Sequence, residues 1–283
     1  VLGMLAVLLP LVSHSPIEPL DVLQMLVGTL LGLAFALILP RPACNEILTF
    51  AQKQKLQQQE RLSQVVERVE KKTIKEGWDS IAGYADVKEM ITAEKLDAIS
   101  IATPDPYHYE PARAAMEAGI KYLMIEKPLA TSVEECEELI AMAEKYGVQI
   151  AVDSHKRWDP AYNNMRDEIT MDKENIIRGY MSLDDVIDVP TSWFTWTDKS
   201  SPSWFLGVHC YDLIRYLSGS EVKRVYAVGN KEVLKKQGYQ TYDSIQAILT
   251  MEDGSSWTVE NSWILPNTYP KSNDGQLVIV TEH

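Results

Sequence analysis

The stretch DAISIATPDPYHYEPARAAMEAGIKYLMIEKPLA, residues 97–130, decides the fold class. Residues 97–102 form a short apolar run of strand-forming side chains, and residues 122–125 form another. Between them, residues 111–118 carry a helical pattern that closes at Gly119. A strand, a helix and a strand at this spacing predict a right-handed crossover between two parallel strands.

Both predicted strands end at residues that could take part in binding or catalysis. The first ends at Thr103-Pro104 and the second at Glu126-Lys127-Pro128. Ligands of parallel α/β sheets bind outside the carboxyl ends of the strands. These two strand ends are therefore the first candidates for a binding site.

The alternation of helix and strand continues after residue 130. Ser132 and Glu135 have the spacing of a helix capping box, and the helix should run to Tyr146 with Gly147 behind it. Residues 148–152 then form a third strand. We expect no metal site on this helix, because its glutamates have no histidine at ligand spacing and fit a solvated face.

The pattern changes beyond Pro160 to long strands and turns. Residues 252–255 read Glu-Asp-Gly-Ser, which is a hairpin signal, and residues 211–217 form a helix ended by Gly219. These features predict an α+β domain with a mostly antiparallel open sheet and helices on one face. Its predicted strands are residues 176–183, 222–229, 244–251 and 256–262.

The first forty residues differ from the rest because they contain neither Lys nor Arg. Val22 to Leu39 is an apolar run interrupted only by Gln24 and Thr29, which is long enough to span a bilayer; a buried core helix is the alternative. Positive charge begins only at Arg41, so the positive-inside rule places the larger part of the chain in the cytoplasm.

Residues 44–76 favour one amphipathic helix, which serves either as a spacer between membrane and enzyme or as a helix packed on the next domain. The predicted organisation therefore has four parts. A hydrophobic segment (1–43), a candidate for spanning a membrane, precedes the helical linker (44–76), a domain with the parallel sheet (77–158) and a second α/β domain (159–283) that is truncated at its C-terminal end.

Charge and cysteine content exclude several functions. The chain has 283 residues and a formal net charge of −13, which repels phosphate and argues against nucleic acid as a partner. Its three cysteines are far apart and form no CxxC pair, so neither a disulfide framework nor a zinc site is indicated.

Four stretches resemble the Gfo/Idh/MocA family of NAD(P)-dependent oxidoreductases, which act on sugars, inositols and related polyols. They are ISIATPDPYH (99–108), IEKPLA (125–130), HKRWDP (155–160) and GVHCYDLIRYL (207–217). The resemblance covers roughly residues 68–283. It implies an incomplete Rossmann-like parallel sheet followed by a domain with an open sheet, NAD or NADP as cofactor, and a homo-oligomer.

The resemblance also implies roles for particular residues. Lys127, His209 and Asp212 would be catalytic, with His209 as the base that takes the hydroxyl proton, Lys127 polarising the oxygen and Asp212 orienting the imidazole or binding a hydroxyl. His155, Trp204, His209 and Asp212 would bind the substrate, although Trp204 could equally be a core residue and His155 a loop support. Residues implied to line the cofactor are Thr103, Pro104, His108, Glu126, Lys127, Arg157 and Trp158; His108 could instead only cap or pack.

Two departures from the family pattern leave a second function open. Phe205 stands where many members have a carboxylate four residues before the motif histidine, and residues 1–76 contain no GxGxxG turn to hold a pyrophosphate. The first hypothesis is a sugar or polyol oxidoreductase, cytoplasmic or anchored to the cytoplasmic side of a membrane through residues 22–39. The second is a catalytically incompetent fusion or fragment of such an enzyme that acts as a membrane-tethered binding or structural module.

Overall fold

The computed structural model describes residues 63, 64, 66, 67, 71, 75, 82–172 and 174–283. The chain divides into two compact units, Val1–Ala85 and Asp86–His283. In the first unit, the described residues between 63 and 75 are helical, and Lys71 Nζ pairs with Glu67 Oε1 at 2.7 Å. The predicted hydrophobic segment 1–43 and most of the predicted linker 44–76 lie outside the described residues. No helix within the described ranges is long and apolar enough to cross a bilayer.

The second unit begins with α1 (Val87–Ala93) and a parallel sheet formed by β1 (Ala98–Ile101), β2 (Tyr122–Glu126) and β3 (Gln149–Asp153). The strand order is β1-β2-β3, and both pairings are parallel. The parallel sheet predicted from residues 97–130 is therefore confirmed. The carboxyl ends of the three strands lie at one edge, where Glu126 pairs with Asp153.

Two helices pack on this sheet because each presents an apolar face to it. They are α2 (Tyr109–Glu117) and α3 (Val133–Tyr146), whose core includes the fully buried Met116, Ile125 and Leu139. Ser132 Oγ accepts a hydrogen bond from the Glu135 backbone N–H at 3.1 Å, and Gly147 ends α3 in the left-handed region at φ 62°. Both ends of α3 therefore agree with the sequence pattern.

A short helix, α4 (Pro160–Met171), leads into the second sheet. This sheet has the order β5-β6-β7-β4-β8, and its pairs are antiparallel except for β4 with β7. The predicted mostly antiparallel open sheet is confirmed. Its strands are β4 (Ile176–Val186), β5 (Val222–Asn230), β6 (Ser244–Met251), β7 (Ser256–Leu265) and β8 (Asn273–Thr281).

One face of the second sheet carries the core. Helix α5 (Val208–Ser218) packs on it, and Leu213 and Ile214 of the helix are fully buried together with Trp257 and Trp263 of β7. A π-helical turn, Ser203–Gly207, feeds directly into α5. A further short helix, α6 (Val233–Lys236), lies between β5 and β6. The turn before α5 is the element that brings the second domain to the strand ends of the first.

Candidate active site

Lys127 follows directly after β2, and its side chain reaches the turn before α5. Its Nζ donates a hydrogen bond to the Phe205 carbonyl oxygen at 3.0 Å and lies 4.1 Å from the centroid of the Phe205 ring. Burial lowers the pKa of Lys127, because an ammonium group loses water there. The lysine thus joins the carboxyl edge of the parallel sheet to the second domain.

Carboxylates surround Lys127 and oppose the effect of burial on it. The negative charges of Asp105, Glu126 and Asp185 raise the pKa of the lysine, whereas the charge of Lys156 lowers it. Several charged groups of this site therefore act together on the pKa of one amine, that of Lys127.

Asp105 lies in the turn behind β1 and is buried. Ser200 Oγ donates to its Oδ2 at 2.9 Å, and the Ser200 carbonyl accepts from Thr241 Oγ1 at 2.6 Å. Burial raises the pKa of Asp105, while the charge of Lys127 and the Ser200 hydrogen bond work in the opposite direction. This chain of contacts links the first sheet to the second domain beside the lysine.

His209 occupies the first turn of α5 and is buried. Its ring meets the ring of His155 edge to face, with centroids 4.9 Å apart. Burial, together with the nearby charges of Lys127, Lys156 and His155, lowers the pKa of His209 to about 3. The ring sits desolvated among cationic groups, and its implied role as the base that takes the hydroxyl proton stays a prediction. At neutral pH His209 is a neutral imidazole that can donate one hydrogen bond and accept one.

Asp212, one turn along α5 from His209, is held by Arg157 rather than turned toward the imidazole. Arg157 Nε donates to Asp212 Oδ2 at 2.8 Å, and Nη2 donates to Oδ1 at 2.6 Å. This bidentate pair fixes the carboxylate and satisfies one lone pair on each oxygen. The predicted orienting role of Asp212 therefore differs from the contacts observed; its hydroxyl-binding role remains a prediction.

The cofactor-lining prediction for the first strand end involves a buried histidine. His108 Nδ1 lies 2.6 Å from the Pro128 carbonyl and Nε2 lies 2.6 Å from the Thr103 carbonyl. Its ring thus ties the loop after β1 to the loop after β2, while Thr103 Oγ1 donates to the Tyr107 carbonyl at 2.8 Å. His108 shapes the strand ends, and Thr103 and Pro104 remain exposed beside it.

The position of the absent family carboxylate is filled by an aromatic cluster. Phe194 stacks on Trp196 with centroids 4.1 Å apart, and Phe205 lies 4.9 Å from Phe194 and 6.1 Å from Trp263. Apolar rings exclude water and strengthen the electrostatic interactions next to them. Trp204, which the resemblance places at the substrate, is half-buried in the same turn.

Three polar groups at the carboxyl edge of the first sheet could hold a ligand. Glu126, Asp153 and His155 each present one ligand atom within 4.8 Å of the others. Exposed carboxylate groups of this kind are common without an ion, so the expected absence of a metal remains a prediction. Trp158 is 81% exposed in the same turn as His155.

Two buried acids, Asp105 and Asp185, are site residues that sequence reasoning missed. Asp105 comes two residues after the stop signal Thr103-Pro104. Asp185 occupies an inward position of β4, in step with the buried residues Met181 and Leu183. An acid at an apolar position of a strand is the signal that could have found it.

Two family models match the chain. The first, described as "Oxidoreductase family, NAD-binding Rossmann fold", matches residues 45–154, and the second, described as "GFO/IDH/MocA C-terminal domain", matches residues 175–283. Together they cover most of the chain. The first match begins upstream of residue 68, where the resemblance was expected to start.

Curated relatives are between a quarter and a third identical to this chain over the regions that align. The D-glucoside 3-dehydrogenase of Escherichia coli is 29% identical over 226 residues, which covers 72% of this chain and 61% of that protein. The scyllo-inositol 2-dehydrogenase (NAD(+)) of Bacillus subtilis is 28% identical over 186 residues, covering 64% and 53%. The chain therefore spans a little over half the length of these relatives.

Solved structures share the fold at lower identity. An inositol dehydrogenase homologue from Azotobacter vinelandii, complexed with NADH and myo-inositol, has a TM-score of 0.63 at 20% identity and covers 74% of this chain and 56% of that one. The myo-inositol 2-dehydrogenase of Lactobacillus plantarum has a TM-score of 0.62 at 23% identity and covers 70% and 59%. The folds of the two domains agree with the two family models. The chain belongs to the Gfo/Idh/MocA family of oxidoreductases.

Proposed function

We propose that this protein transfers a hydride between a nicotinamide cofactor, NAD or NADP, and a hydroxyl-bearing carbon of a sugar, inositol or related polyol. The observation that carries the proposal is the position of Lys127, half-buried at the end of a parallel strand and held against the turn that precedes His209. Family membership and the dehydrogenases among its relatives support an enzyme rather than a binding or structural module.

The residues at the strand ends suit a dinucleotide. Glu126 offers a carboxylate acceptor and Lys127 an ammonium donor beside each other, and ribose hydroxyl groups can donate to the first and accept from the second. Thr103, Pro104 and the Arg157 turn would border the same ligand. The bound nicotinamide would supply the carbon that accepts or returns the hydride.

The protein's own groups handle the proton of the substrate hydroxyl. The Lys127 ammonium can donate a hydrogen bond to the oxygen and stabilise the negative charge that develops there. His209, which is neutral at neutral pH because burial lowers its pKa to about 3, can bind a hydroxyl but is a weak proton acceptor. The amine of Lys127, whose pKa burial lowers, is therefore the better candidate for moving the proton.

The test is cofactor reduction by a panel of inositols, glucosides and free sugars, followed by the absorbance of the reduced nicotinamide. We expect turnover with at least one polyol, and a loss of about 100-fold or more in Lys127→Met. Lys145→Met, which removes an exposed lysine of α3, is the matched control and should retain the wild-type rate. Absence of turnover across the panel, or full activity in Lys127→Met, would refute the proposal.

Three further features stay predictions from the sequence. Homo-oligomer formation is supported by the family resemblance, and an apolar surface is available on β5, where Val225 and Tyr226 are exposed. A cytoplasmic location and membrane contact through residues 22–39 are supported by the charge pattern of the sequence.

A further inference from the structure

Asp185 is a buried acid of the second domain. It lies on β4, is only 4% exposed, and its Oδ2 has no hydrogen-bond partner among the residues that the structure describes. A buried carboxyl oxygen without a partner is costly, so such a group is retained for a reason other than packing. Nothing in the contacts of β4 itself supplies that reason.

The surroundings of Asp185 point toward Lys127. Trp263 of the neighbouring strand β7 is buried, and its indole N–H, which forms no hydrogen bond of full geometry within residues 82–172 and 174–283, points to Asp185 and lowers the pKa of that carboxyl group. The Trp263 ring packs 6.1 Å from the Phe205 ring, which in turn lies 4.1 Å from Lys127 Nζ. The register of β4 with β7 places Asp185 beside Trp263, so the acid and the amine adjoin one aromatic cluster, where charges interact more strongly than in water.

We propose that Asp185 is a positioning residue for Lys127, and that its carboxyl group joins those of Asp105 and Glu126 in favouring the charged amine, in place of the carboxylate that Phe205 displaces. The effect of Asp185 on catalysis rests on the proposed function. The electrostatic pairing itself requires neither substrate nor cofactor.

The charged groups around the pair give the direction of the effect. Besides burial, the charges of Asp105, Glu126 and Asp185 raise the pKa of Lys127 and that of Lys156 lowers it. For Asp185, Lys127 and the Trp263 N–H lower the pKa and Asp184 raises it. Burial raises the pKa of Asp185 to about 7, an effect that Lys127 opposes and Asp184 reinforces. Asp185 therefore gains its negative charge near neutral pH, and that charge favours the protonated form of Lys127.

The pairing can be measured by acylating the native protein at a series of pH values and quantifying modified Lys127 by mass spectrometry. In Asp185→Asn the midpoint for Lys127 should move to lower pH by roughly 0.5 to 2 units, because the amine loses a negative neighbour. Asp185→Glu keeps the charge and should restore the wild-type midpoint. Asp184→Asn is the matched control: it removes an acid that repels Asp185, so the midpoint should not fall.

A reciprocal measurement covers the case in which Asp185→Asn does not fold. Thermodynamic linkage requires Lys127→Met to raise the pH at which the Asp185 carboxyl ionises, read from its protonated C=O band in infrared spectra and assigned by its displacement in Asp185→Glu. Unchanged midpoints in both measurements would overturn the inference. A shifted midpoint in a chain that oxidises no polyol would uphold the pairing and refute the proposed function, so the two failures are distinguishable.

Discussion

The proton chemistry of the site depends on burial at single residues. Lys127 and His209 both lose water, and burial lowers the pKa of each. For His209 the nearby cations act in the same direction, whereas for Lys127 the surrounding carboxylates oppose the change. Two basic side chains of one site therefore differ: the histidine is neutral over the working pH range and the lysine remains the group that can exchange a proton.

The low pKa of His209 predicts how stability depends on pH. Because the pKa is about 3 in the folded protein and near 6.5 when the chain unfolds, the unfolded state binds more protons between these values. Stability should therefore fall as the pH is lowered through this window, by an amount on the order of a few kcal/mol for this one group. In urea titrations at several pH values, the free energy of unfolding should fall less steeply with decreasing pH in His209→Asn than in the wild type. An unchanged slope in that variant would contradict the burial of a neutral imidazole.

Breaking the Arg157–Asp212 pair should destabilise the protein more than breaking an exposed ion pair of the same helix. Asp212→Asn breaks a bidentate contact in which the acid side chain is 19% exposed, so we expect a cost of about 1 to 2 kcal/mol. Glu221→Gln breaks the bidentate contact with Arg215. The Arg215 side chain is 45% exposed and that of Glu221 is 60% exposed, so the loss of stability should be less than about 0.5 kcal/mol. Denaturant unfolding gives both values; equal costs would argue against the partial burial of the first pair.

At the scale of elements, the two sheets depend on close approach between strands. Gly179 of β4 pairs with Trp257 of β7, and a Cβ atom on Gly179 would lie 2.1 Å from the Trp257 ring. Trp257 is 1% exposed and has no room to move. Gly179→Ala should therefore destabilise the protein by roughly 2 to 3 kcal/mol.

Gly229→Ala is the matched control for that prediction. Its Cβ would meet the Tyr242 ring at 2.7 Å, but Tyr242 is 37% exposed and can swing toward solvent. The expected cost is below about 1 kcal/mol. Thermal unfolding of the two variants checks the comparison, and a Gly179→Ala protein as stable as Gly229→Ala would show that β4 and β7 are not packed as described.

Local elements were predictable because their signals are local. Ser132 and Gly147 mark the ends of α3, and Pro104 and Pro128 follow the first two strands of the first sheet, so the order of elements followed from the sequence. The parallel pairing of β4 with β7 was not predictable in this way. These strands are separated in the chain by β5, β6 and the helices α5 and α6, and nothing in the residues of either strand specifies such a distant neighbour.

At the scale of the whole molecule, family resemblance located Lys127, His209, Arg157 and Asp212, and the structure brings all four to the carboxyl edge of the first sheet and the start of α5. Their partners were the part that sequence could not supply. Arg157 donates hydrogen bonds to Asp212, and the charge of Asp185 raises the pKa of Lys127. Both interactions join residues that are far apart in the chain. Such pairs arise only when the two domains fold together, and their pKa effects depend on how much water is left between them.

If these residues form a nicotinamide site, the purified protein must bind NADH, and a titration followed by nicotinamide fluorescence measures that binding. We predict saturable binding that is weakened about tenfold or more in Lys127→Ala and unchanged in Lys145→Ala. A parallel titration with NADPH would identify the preferred cofactor. Fluorescence that never saturates up to millimolar NADH and NADPH, or binding that is identical in Lys127→Ala, would contradict the assignment of this site.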